Sequence, residues 1–345
     1  SYDPFSPRIT AIGSGNWSDP AIWSGGVVPG DNSRGNIPGG LNLIYDVNSN
    51  IALKTVFVQG KLSFRTNINT KMVVDTLVSA GSSQFVIGTD ANPIQTGVEA
   101  RIVIKRNGPI NISWDPMRLS RGLVLHGITK MRGEAKTSWL PLTNQPMSDA
   151  TALNLSSTPV NWRVGDKIVI TGADYRNPTW NGSRIGYSSL VNRTYDEERI
   201  IKSINGNVVT VDPLQYNHTT PGSQYSIYVA NFTRNITVET EGGASVPTQE
   251  RGHVMFMHTD SVNVKYVAFN ELGRTDKSRP LNDAKFDNNG NLISGTGTNQ
   301  RGRYSVHVHR ANIGSFANTP AIIKGSAVWG SPGWGFTSHD SFAAI

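Results

Sequence analysis

The sequence predicts an all-β protein whose short strands are wound into parallel β-helix coils. Its 345 residues include 35 glycines and 18 prolines, and apolar residues almost nowhere recur at helical spacing over three turns. Short runs rich in Val, Ile, Phe and Tyr are bounded by Gly, Asn, Asp or Pro instead, which is typical of strands. In the second half of the chain such runs begin roughly every twenty residues, as stacked coils require.

The predicted strands follow one another along the whole chain. They are Leu43–Val47, Thr55–Val58, Met72–Val78, Gln84–Ile87, Arg101–Ile104, Leu123–His126, Lys167–Thr171, Asn207–Val211, Asn235–Val238, His253–His258, Val262–Phe269, Tyr304–His309 and Ala321–Val328. No blade-like repeat is present, which argues against a propeller. Tight Asn-Gly turns, which a sandwich or meander needs in number, are few. A parallel β-helix therefore fits the pattern best.

The composition narrows the classes of partner. The formal charge is +7, but only 17% of residues are charged, and no block of five like charges occurs, so we expect no nucleic-acid partner. Polyanionic glycans remain possible partners. The absence of cysteine excludes a disulfide scaffold, a cysteine zinc site and a thiol nucleophile. No apolar run is long enough to predict a membrane span.

A long polar segment, Gly273 to Gly302, interrupts the spacing of the coils. It contains almost no apolar residues and predicts a loop that projects from the coil. Loops of this length are often functional, although a mobile insertion is the simpler alternative.

Residues along nearly the whole chain resemble a known family. The N-terminal segment Gly15–Trp23, followed by Pro29–Asp31, resembles the opening of the G-eight domain, a β-rich module named for its eight glycines. Further agreement is carried by Val58, Gly60, Leu62, Phe64, Leu77, Gly81, Phe85–Gly88, Pro93, Trp162–Asp166, Glu197, Glu198, Thr233–Thr237, Gly252–His253, Leu272–Arg274, Gly302–Tyr304 and His307–His309. Together these residues resemble bacterial relatives of the cell-migration-inducing hyaluronan-degrading proteins and of fibrocystin.

The resemblance implies a fold, a location and two kinds of function. It implies a G-eight module over 1–140 leading into right-handed parallel β-helix coils over 141–345, on a secreted or cell-surface protein. Some animal members of this family are linked to calcium-dependent hyaluronan depolymerisation, whereas fibrocystin is not known as an enzyme. The chain is therefore expected either to depolymerise an acidic polysaccharide or to serve as a non-catalytic module for adhesion or assembly. We also expect further coils, or a stacking partner, beyond the apolar C-terminus.

Histidines form the clearest chemical signal. Five of the seven fall between residues 253 and 339. Side chains alternate along a strand, so His307 and His309 face the same side. If the coils stack in register, His258 and His339 would join them and hold a divalent transition metal such as zinc. A metal-free catalytic histidine and a structural ladder of imidazoles are the alternatives.

Charged and aromatic residues surround these histidines. Arginines bind carboxylates bidentately, so Arg274, Arg301 and Arg310 are predicted to bind a uronic-acid chain, and Tyr304 and Trp334 to stack on its sugar rings. The predicted catalytic residues are Asp276, Asp283, His307 and Arg303. A hydrolase would use the two aspartates as a carboxylate pair, whereas a lyase would use a histidine or tyrosine base with an arginine or a cation. The sequence leaves both reactions open.

Overall fold

The computed structural model describes residues 8–172, 195–220, 222–259, 261–313 and 319–345. The chain divides into two compact units. The coil unit comprises Ser1–Glu134 and Arg234–Ile345, and the inserted unit comprises Ala135–Thr233. No helix among the described residues is both long enough and apolar enough to cross a membrane.

Strands and short 3-10 turns make up the regular structure of the described residues. The first part of the coil unit contains β1 (Arg8–Thr10), β2 (Gly15–Asn16), β3 (Arg34–Ile37), β4 (Asn42–Tyr45), β5 (Asn48–Val58), β6 (Lys61–Phe64), β7 (Thr70–Ser79), β8 (Gln84–Ile87), β9 (Ala100–Ile104), β10 (Gly122–Leu125) and β11 (Ile128–Arg132). The inserted unit contains β12 (Trp139–Pro141), β13 (Ala152–Asn154), β14 (Lys167–Ile170), β15 (Glu197–Ile200), β16 (Ser203–Asn205), β17 (Val208–Thr210) and β18 (Tyr228–Asn231). The coil unit then resumes with β19 (Ile236–Thr240), β20 (His253–Met257), β21 (Val262–Lys265), β22 (Val267–Asn270), β23 (Val306–His309), β24 (Ala321–Lys324), β25 (Ala327–Trp329), β26 (Phe336–His339) and β27 (Ala343–Ala344). The 3-10 turns are Pro20–Ile22, Ser24–Gly26, Gly243–Ser245 and Thr248–Glu250.

The coil unit consists of parallel strands that stack coil upon coil. One sheet has the order β2-β4-β6-β8-β11-β21-β24-β27, and a second, branched sheet of twelve strands contains the others. The branch lies at β7, whose first half pairs with β9 and whose second half pairs with β10. The long strand β7 thus spans two faces of the coil, and the predicted fold class, all-β with parallel β-helix coils, is confirmed.

Alternation along each strand fills the core. In β23, Val306 and Val308 are fully buried inside the coil, whereas His307 and His309 point outward. The same pattern of inward apolar residues recurs in β21 at Val262 and Val264. Successive side chains of a strand point to opposite faces. The inward valines of β23 therefore place the histidines between them on the outer surface of the coil.

Two runs that the sequence predicts as single strands are each divided by a corner. Val262–Phe269 becomes β21 and β22, because Tyr266 adopts the left-handed backbone conformation with φ 58°. Ala321–Val328 becomes β24 and β25, with the corner at Gly325, where φ is 60°. A Cβ at residue 325 would lie 2.5 Å from the Tyr266 ring of the preceding coil. Glycine therefore allows two corners to stack closely.

The inserted unit has its own antiparallel sheets and its own core. The strand orders are β12-β18-β14-β15 and β13-β17-β16. Trp162, Ile168, Val209 and Val229 belong to a separate cluster of buried apolar residues. The unit thus contains what an independent small domain requires.

The division of the chain differs from the predicted modules over 1–140 and 141–345. Strands from both parts pair in one coil unit: β10 pairs with β20, and β9 pairs with β19. The backbone N–H of Glu134 donates to Asn235 Oδ1 at 2.8 Å, so the chain leaves and re-enters the coil at nearly the same place. The paired strands are separated in sequence by residues 135–233. The spacing of the strands along the chain therefore did not predict which of them pair.

The long polar segment lies between β22 and β23, as a loop that connects one coil to the next. Isolated antiparallel bridges, Asn282 with Asn299 and Phe286 with Leu292, hold it together. Asn299 adds hydrogen bonds from its side chain to the carbonyls of Asp276, Arg279 and Pro280. These bonds give the loop an internal structure in place of an apolar core.

Candidate functional site

A cleft of about 440 Å³ lies against the outward face of β20, β23 and β26. Strand register places His307 between Met255 and Thr337, and His309 between Met257 and His339. The lining residues come from these strands and from neighbouring loops: Met117, Leu119, Met255, Met257, Gln300, Arg301, Gly302, Arg303, Tyr304, His307, His309, Trp334, Thr337, Ser338 and His339. We call this site the histidine cleft.

Three imidazoles meet in the histidine cleft. His307, His309 and His339 each place one ring nitrogen within 4.8 Å of the others. The Nδ1 atoms of His309 and His339 are 3.2 Å apart, and their rings stack with centroids 5.2 Å apart. His339 follows His309 in register on the next coil, which explains the stacking.

His307 is held in one tautomer by the backbone. It is buried, and its Nδ1 donates a hydrogen bond to the carbonyl of Gly302 at 3.0 Å. Its Nε2 then carries the lone pair, and this atom is buried without a hydrogen-bond partner. Burial lowers the pKa of His307 to about 4, and the neighbouring imidazoles add to the effect. The ring is therefore neutral at pH 7, and the lone pair of its Nε2 has no hydrogen-bond partner.

The other two imidazoles are more exposed to solvent. Burial, followed by the neighbouring His339 and His258, lowers the pKa of His309 from its usual value. His339 is exposed, and its Nδ1 lies 3.9 Å from a carboxylate oxygen of Asp340. The cluster is thus anchored at His307 and open to solvent at His339.

Aromatic side chains form one wall of the cleft. The ring centroids of Tyr304 and Trp334 are 5.3 Å apart, and Trp334 is 53% exposed, so part of the indole is open to solvent. The ammonium group of Lys277 lies 3.8 Å from the Trp334 ring centroid, a cation–π contact. The Tyr304 ring in turn contacts His307 at 5.3 Å between centroids.

Several residues predicted for the site are placed elsewhere. His258 contacts His309, with ring centroids 5.7 Å apart, but it is not one of the three clustered imidazoles. Asp276 is paired with Arg279, and Asp283 with Arg301. Among the described residues that line the cleft there is no carboxylate. The loop does not bring the two aspartates to the imidazoles.

The four predicted arginines differ in their surroundings. Arg301 and Arg303 line the cleft. Arg303 is buried and donates to the carbonyls of Arg118, Met117 and its neighbour Arg301. Arg274 is also buried, and its guanidinium donates to four backbone carbonyls. Arg310 is exposed beside Asp340. Only Arg301 among these four therefore presents an exposed guanidinium to the cleft.

Sequence reasoning missed the apolar floor of the cleft and the cation–π contact of Lys277 with Trp334. Met255 and Met257 alternate along β20, and this spacing would have indicated their common face once the coils were aligned. Met117 and Leu119 come from a loop that precedes β10, and nothing in the local sequence signals their role. The local sequence around Lys277 likewise indicates only a position in the long loop.

Part of the chain matches a known domain model. Residues 22–143 match the G8 domain, the module that the motif around Gly15–Trp23 resembles. The matched segment contains the strands from β3 to β12.

Three relatives from Dictyostelium discoideum extend this similarity. Communication mutant protein F is 24% identical over 82% of this chain and 26% of its own length. Two G8 domain-containing proteins are 23% and 26% identical, over 74% and 70% of this chain. The chain spans about a quarter or less of the length of these relatives.

Two solved structures are similar at a low level. The tailspike gp61 of Pseudomonas phage phi297 aligns over 90% of this chain and 40% of its own, with 11% identity and a TM-score of 0.22. The tailspike gp54 of Acinetobacter baumannii bacteriophage AP22, solved with a capsular saccharide, aligns over 86% of this chain and 36% of its own, with 9% identity and a TM-score of 0.24. Similarity at this level supports no argument about function.

Proposed function

We propose that the chain is an extracellular carbohydrate-active module that holds an acidic polysaccharide in the histidine cleft and depolymerises it. The observation that carries the proposal is the meeting of three imidazoles in the cleft that the partly exposed Trp334 also lines. Aromatic faces stack on sugar rings, and Arg301 and Lys277 add positive charge at the same wall. Hyaluronan is the first polymer to test, because of the family resemblance.

His307, His309 and His339 are the residues that would hold a divalent transition metal in the cleft. The fit rests on His307, whose Nδ1–H bond to Gly302 leaves a buried, unpartnered Nε2 as its free ligand atom. Such outer hydrogen bonds orient histidine ligands in metal sites. When bound, the metal would supply positive charge to neutralise a uronate carboxylate or to polarise an oxygen. Calcium, which prefers oxygen ligands, does not fit three imidazoles.

The cleft favours elimination over hydrolysis by a carboxylate pair. Hydrolysis would need two carboxylates flanking the scissile bond, whereas Asp276 and Asp283 are each paired with an arginine and neither is a lining residue of the cleft. In elimination a base removes the C5 proton of the uronate, the C4–oxygen bond breaks, and a C4–C5 double bond forms. Arg301 and Lys277 would stabilise the charge that develops on the carboxylate. The Tyr304 phenol and the imidazoles are the groups that can carry protons.

Adhesion or assembly without catalysis is the second candidate function. The missing carboxylate pair in the described lining favours it, because a cleft of this kind can bind a glycan without cleaving it. Binding and cleavage therefore have to be measured separately.

The test compares polymer length with metal content. We would incubate hyaluronan and a panel of other uronate polymers with the protein, with and without a chelator, and analyse them by size-exclusion chromatography and ultraviolet absorbance. We expect chelator-sensitive shortening of one polymer, with products that absorb as unsaturated uronates. His309→Gln should abolish the shortening and lower the metal content, whereas His126→Gln, outside the cluster, should change neither.

Two results would contradict the proposal. Folded, metal-loaded protein that binds a polymer without shortening it would favour the adhesion or assembly function. If the protein neither binds nor shortens any polymer of the panel, the proposed role in acting on acidic polysaccharides is contradicted.

A further inference from the structure

A second cavity, of about 280 Å³, lies in the coil unit next to the histidine cleft. Arginine is its dominant lining residue, and no carboxylate occurs among the lining residues that the structure describes. The residues that matter here are Arg118, Arg274, Arg279, Arg303, Gln249 and Gln300. Arg303 and Gln300 also line the histidine cleft, so the two sites share a wall. We call this second site the arginine cavity.

Two of its guanidinium groups are buried and bonded to neutral acceptors. Arg274 donates from Nη1 to the carbonyls of Arg121 and Arg251, and from Nη2 to those of Arg118 and Ser120. Its Nε is buried without a partner. Arg303 likewise donates to backbone carbonyls, including that of Arg118. A buried charge is normally paired with an opposite charge, and within the described parts of the chain no carboxylate is hydrogen-bonded to either group.

Arg118 adds a third guanidinium in an unusual position. Its backbone is left-handed, with φ 49°, and its carbonyl accepts from both Arg274 and Arg303. Its Nη1 is buried without a hydrogen-bond partner. A Cβ at Gly297 would lie 2.8 Å from that atom, so the glycine leaves room for the guanidinium at the cavity wall.

The acids near the arginine cavity are already engaged. Asp115 accepts hydrogen bonds from the backbone N–H groups of Leu119 and Ser120 and from the Ser120 hydroxyl. Asp276 is paired with Arg279 at the rim. Burial lowers the pKa of Arg303 to about 10, which still leaves the group charged at neutral pH. The cavity therefore contains more positive charge than its neighbouring acids balance.

We propose that the arginine cavity binds an oxyanion, namely a carboxylate or sulfate group. An oxyanion would accept from the unpartnered Nη1 of Arg118 and Nε of Arg274, and such charge-assisted bonds are the strong ones in guanidinium recognition. The anion has two conceivable sources, a free inorganic ion or a group on the polysaccharide. The second source rests on the proposed function. Because the two sites share a wall, an acidic group of the polymer bound in the arginine cavity would lie next to the part of the polymer held at the imidazoles.

The alternative is that these arginines serve only to hold the turn before β10 through its carbonyls. Arg118→Asn distinguishes the two roles. It removes the unpartnered guanidinium but keeps the backbone carbonyl that Arg274 and Arg303 use, and asparagine tolerates a left-handed backbone. Arg310→Asn is the matched control, since Arg310 also has φ 49° and lies outside the cavity.

The experiment titrates the whole chain with sodium sulfate and, separately, with sodium glucuronate, at constant ionic strength in chloride, by isothermal calorimetry. We expect saturable binding, weakened about tenfold or more by Arg118→Asn, because the hydrogen bonds lost are charge-assisted. Arg310→Asn should leave the affinity within about twofold, as a distant surface charge would. If Arg118→Asn does not fold, Arg279→Gln at the rim should weaken binding about threefold.

Each outcome has a defined meaning. Sulfate binding without glucuronate binding supports a free inorganic anion as the occupant, and binding of both supports a group on the polymer. No saturable binding of either probe, or binding that Arg118→Asn leaves unchanged, overturns the proposal. His309→Gln should not affect sulfate binding, so loss of polymer shortening in that variant tests the proposed function separately.

Discussion

At the scale of single residues, hydrogen bonding decides which polar groups are available to a ligand. His307 uses one ring nitrogen on the Gly302 carbonyl and keeps the other free. In Asp283, by contrast, both carboxylate oxygens accept hydrogen bonds from Arg301, one from its backbone N–H and one from its guanidinium. Two residues predicted to be catalytic thus differ in what their neighbours leave them to do.

In the inserted unit, hydrogen bonds to the buried carboxylate of Glu197 contribute to stability. Burial alone would raise its pKa, but the backbone N–H groups of Gln215 and Tyr216, with His218 and Arg199, outweigh burial and hold the pKa below its usual value. The carboxylate is almost fully buried. It therefore ties β15 to the segment that follows β17.

Glu197→Gln should lower the stability of the inserted unit by about 2 kcal/mol at pH 7, since hydrogen bonds to a charged group are lost. The contribution of a carboxylate with a lowered pKa is complete above its unfolded pKa of about 4.3 and is lost as the pH falls through the folded value. The difference from the native chain should thus shrink below pH about 4. Hydrogen exchange of the Gln215 and Tyr216 amides would report it.

Glu198→Gln is the control for that measurement, because Glu198 is the exposed neighbour on the same strand. It should leave amide exchange nearly unchanged. A Glu197→Gln effect that persists unaltered at pH 3 would contradict the assignment.

At the scale of elements, corners decide where a strand stops and which residues face outward. Tyr266 separates β21 from β22, and Gly325 separates β24 from β25 on the next coil. The runs that predict single strands extend through both corners. Periodicity predicted that strands exist there but could not show their bends, because the bend depends on the coil stacked above.

Gly325→Ala should destabilise the coil unit by about 2–4 kcal/mol. A left-handed backbone costs an L-residue about 1–2 kcal/mol, and the new methyl group would also press on the Tyr266 ring. Urea denaturation followed by circular dichroism would measure the change.

Gly290→Ala separates the two causes. Gly290 has φ 81°, and no atom lies within 4 Å of the position that a Cβ would take there, so only the backbone cost of about 1 kcal/mol should remain. If the two substitutions lower stability equally, contact with the Tyr266 ring does not contribute to the effect of Gly325→Ala.

At the scale of the whole molecule, the chain folds as a coil unit interrupted by a second unit. The interruption falls between β11 and β19, and the ends that flank it are joined by the bond from Glu134 to Asn235. An insertion whose ends are close together need not disturb the fold that receives it.

Replacing residues 135–233 with a short Gly-Ser linker should leave the coil unit folded. The expected result is a single cooperative thermal transition with a β-type circular dichroism spectrum, since the core of the coil unit and that of the inserted unit are separate clusters. A shortened chain that fails to fold, while the isolated segment 135–233 also fails, would show that the units depend on each other.

The sequence by itself determined the all-β class, the positions of part of the strands and the common face of His307 and His309. These follow from side-chain alternation, which is a local property of an extended backbone. The tertiary structure alone decided that His339 joins the row while His258 and Asp276 do not, and that Arg274 is buried. Those outcomes depend on which coil stacks on which across the insertion at 135–233 and the loop before β23. Long-range stacking of this kind leaves no periodic signal in the sequence of either segment.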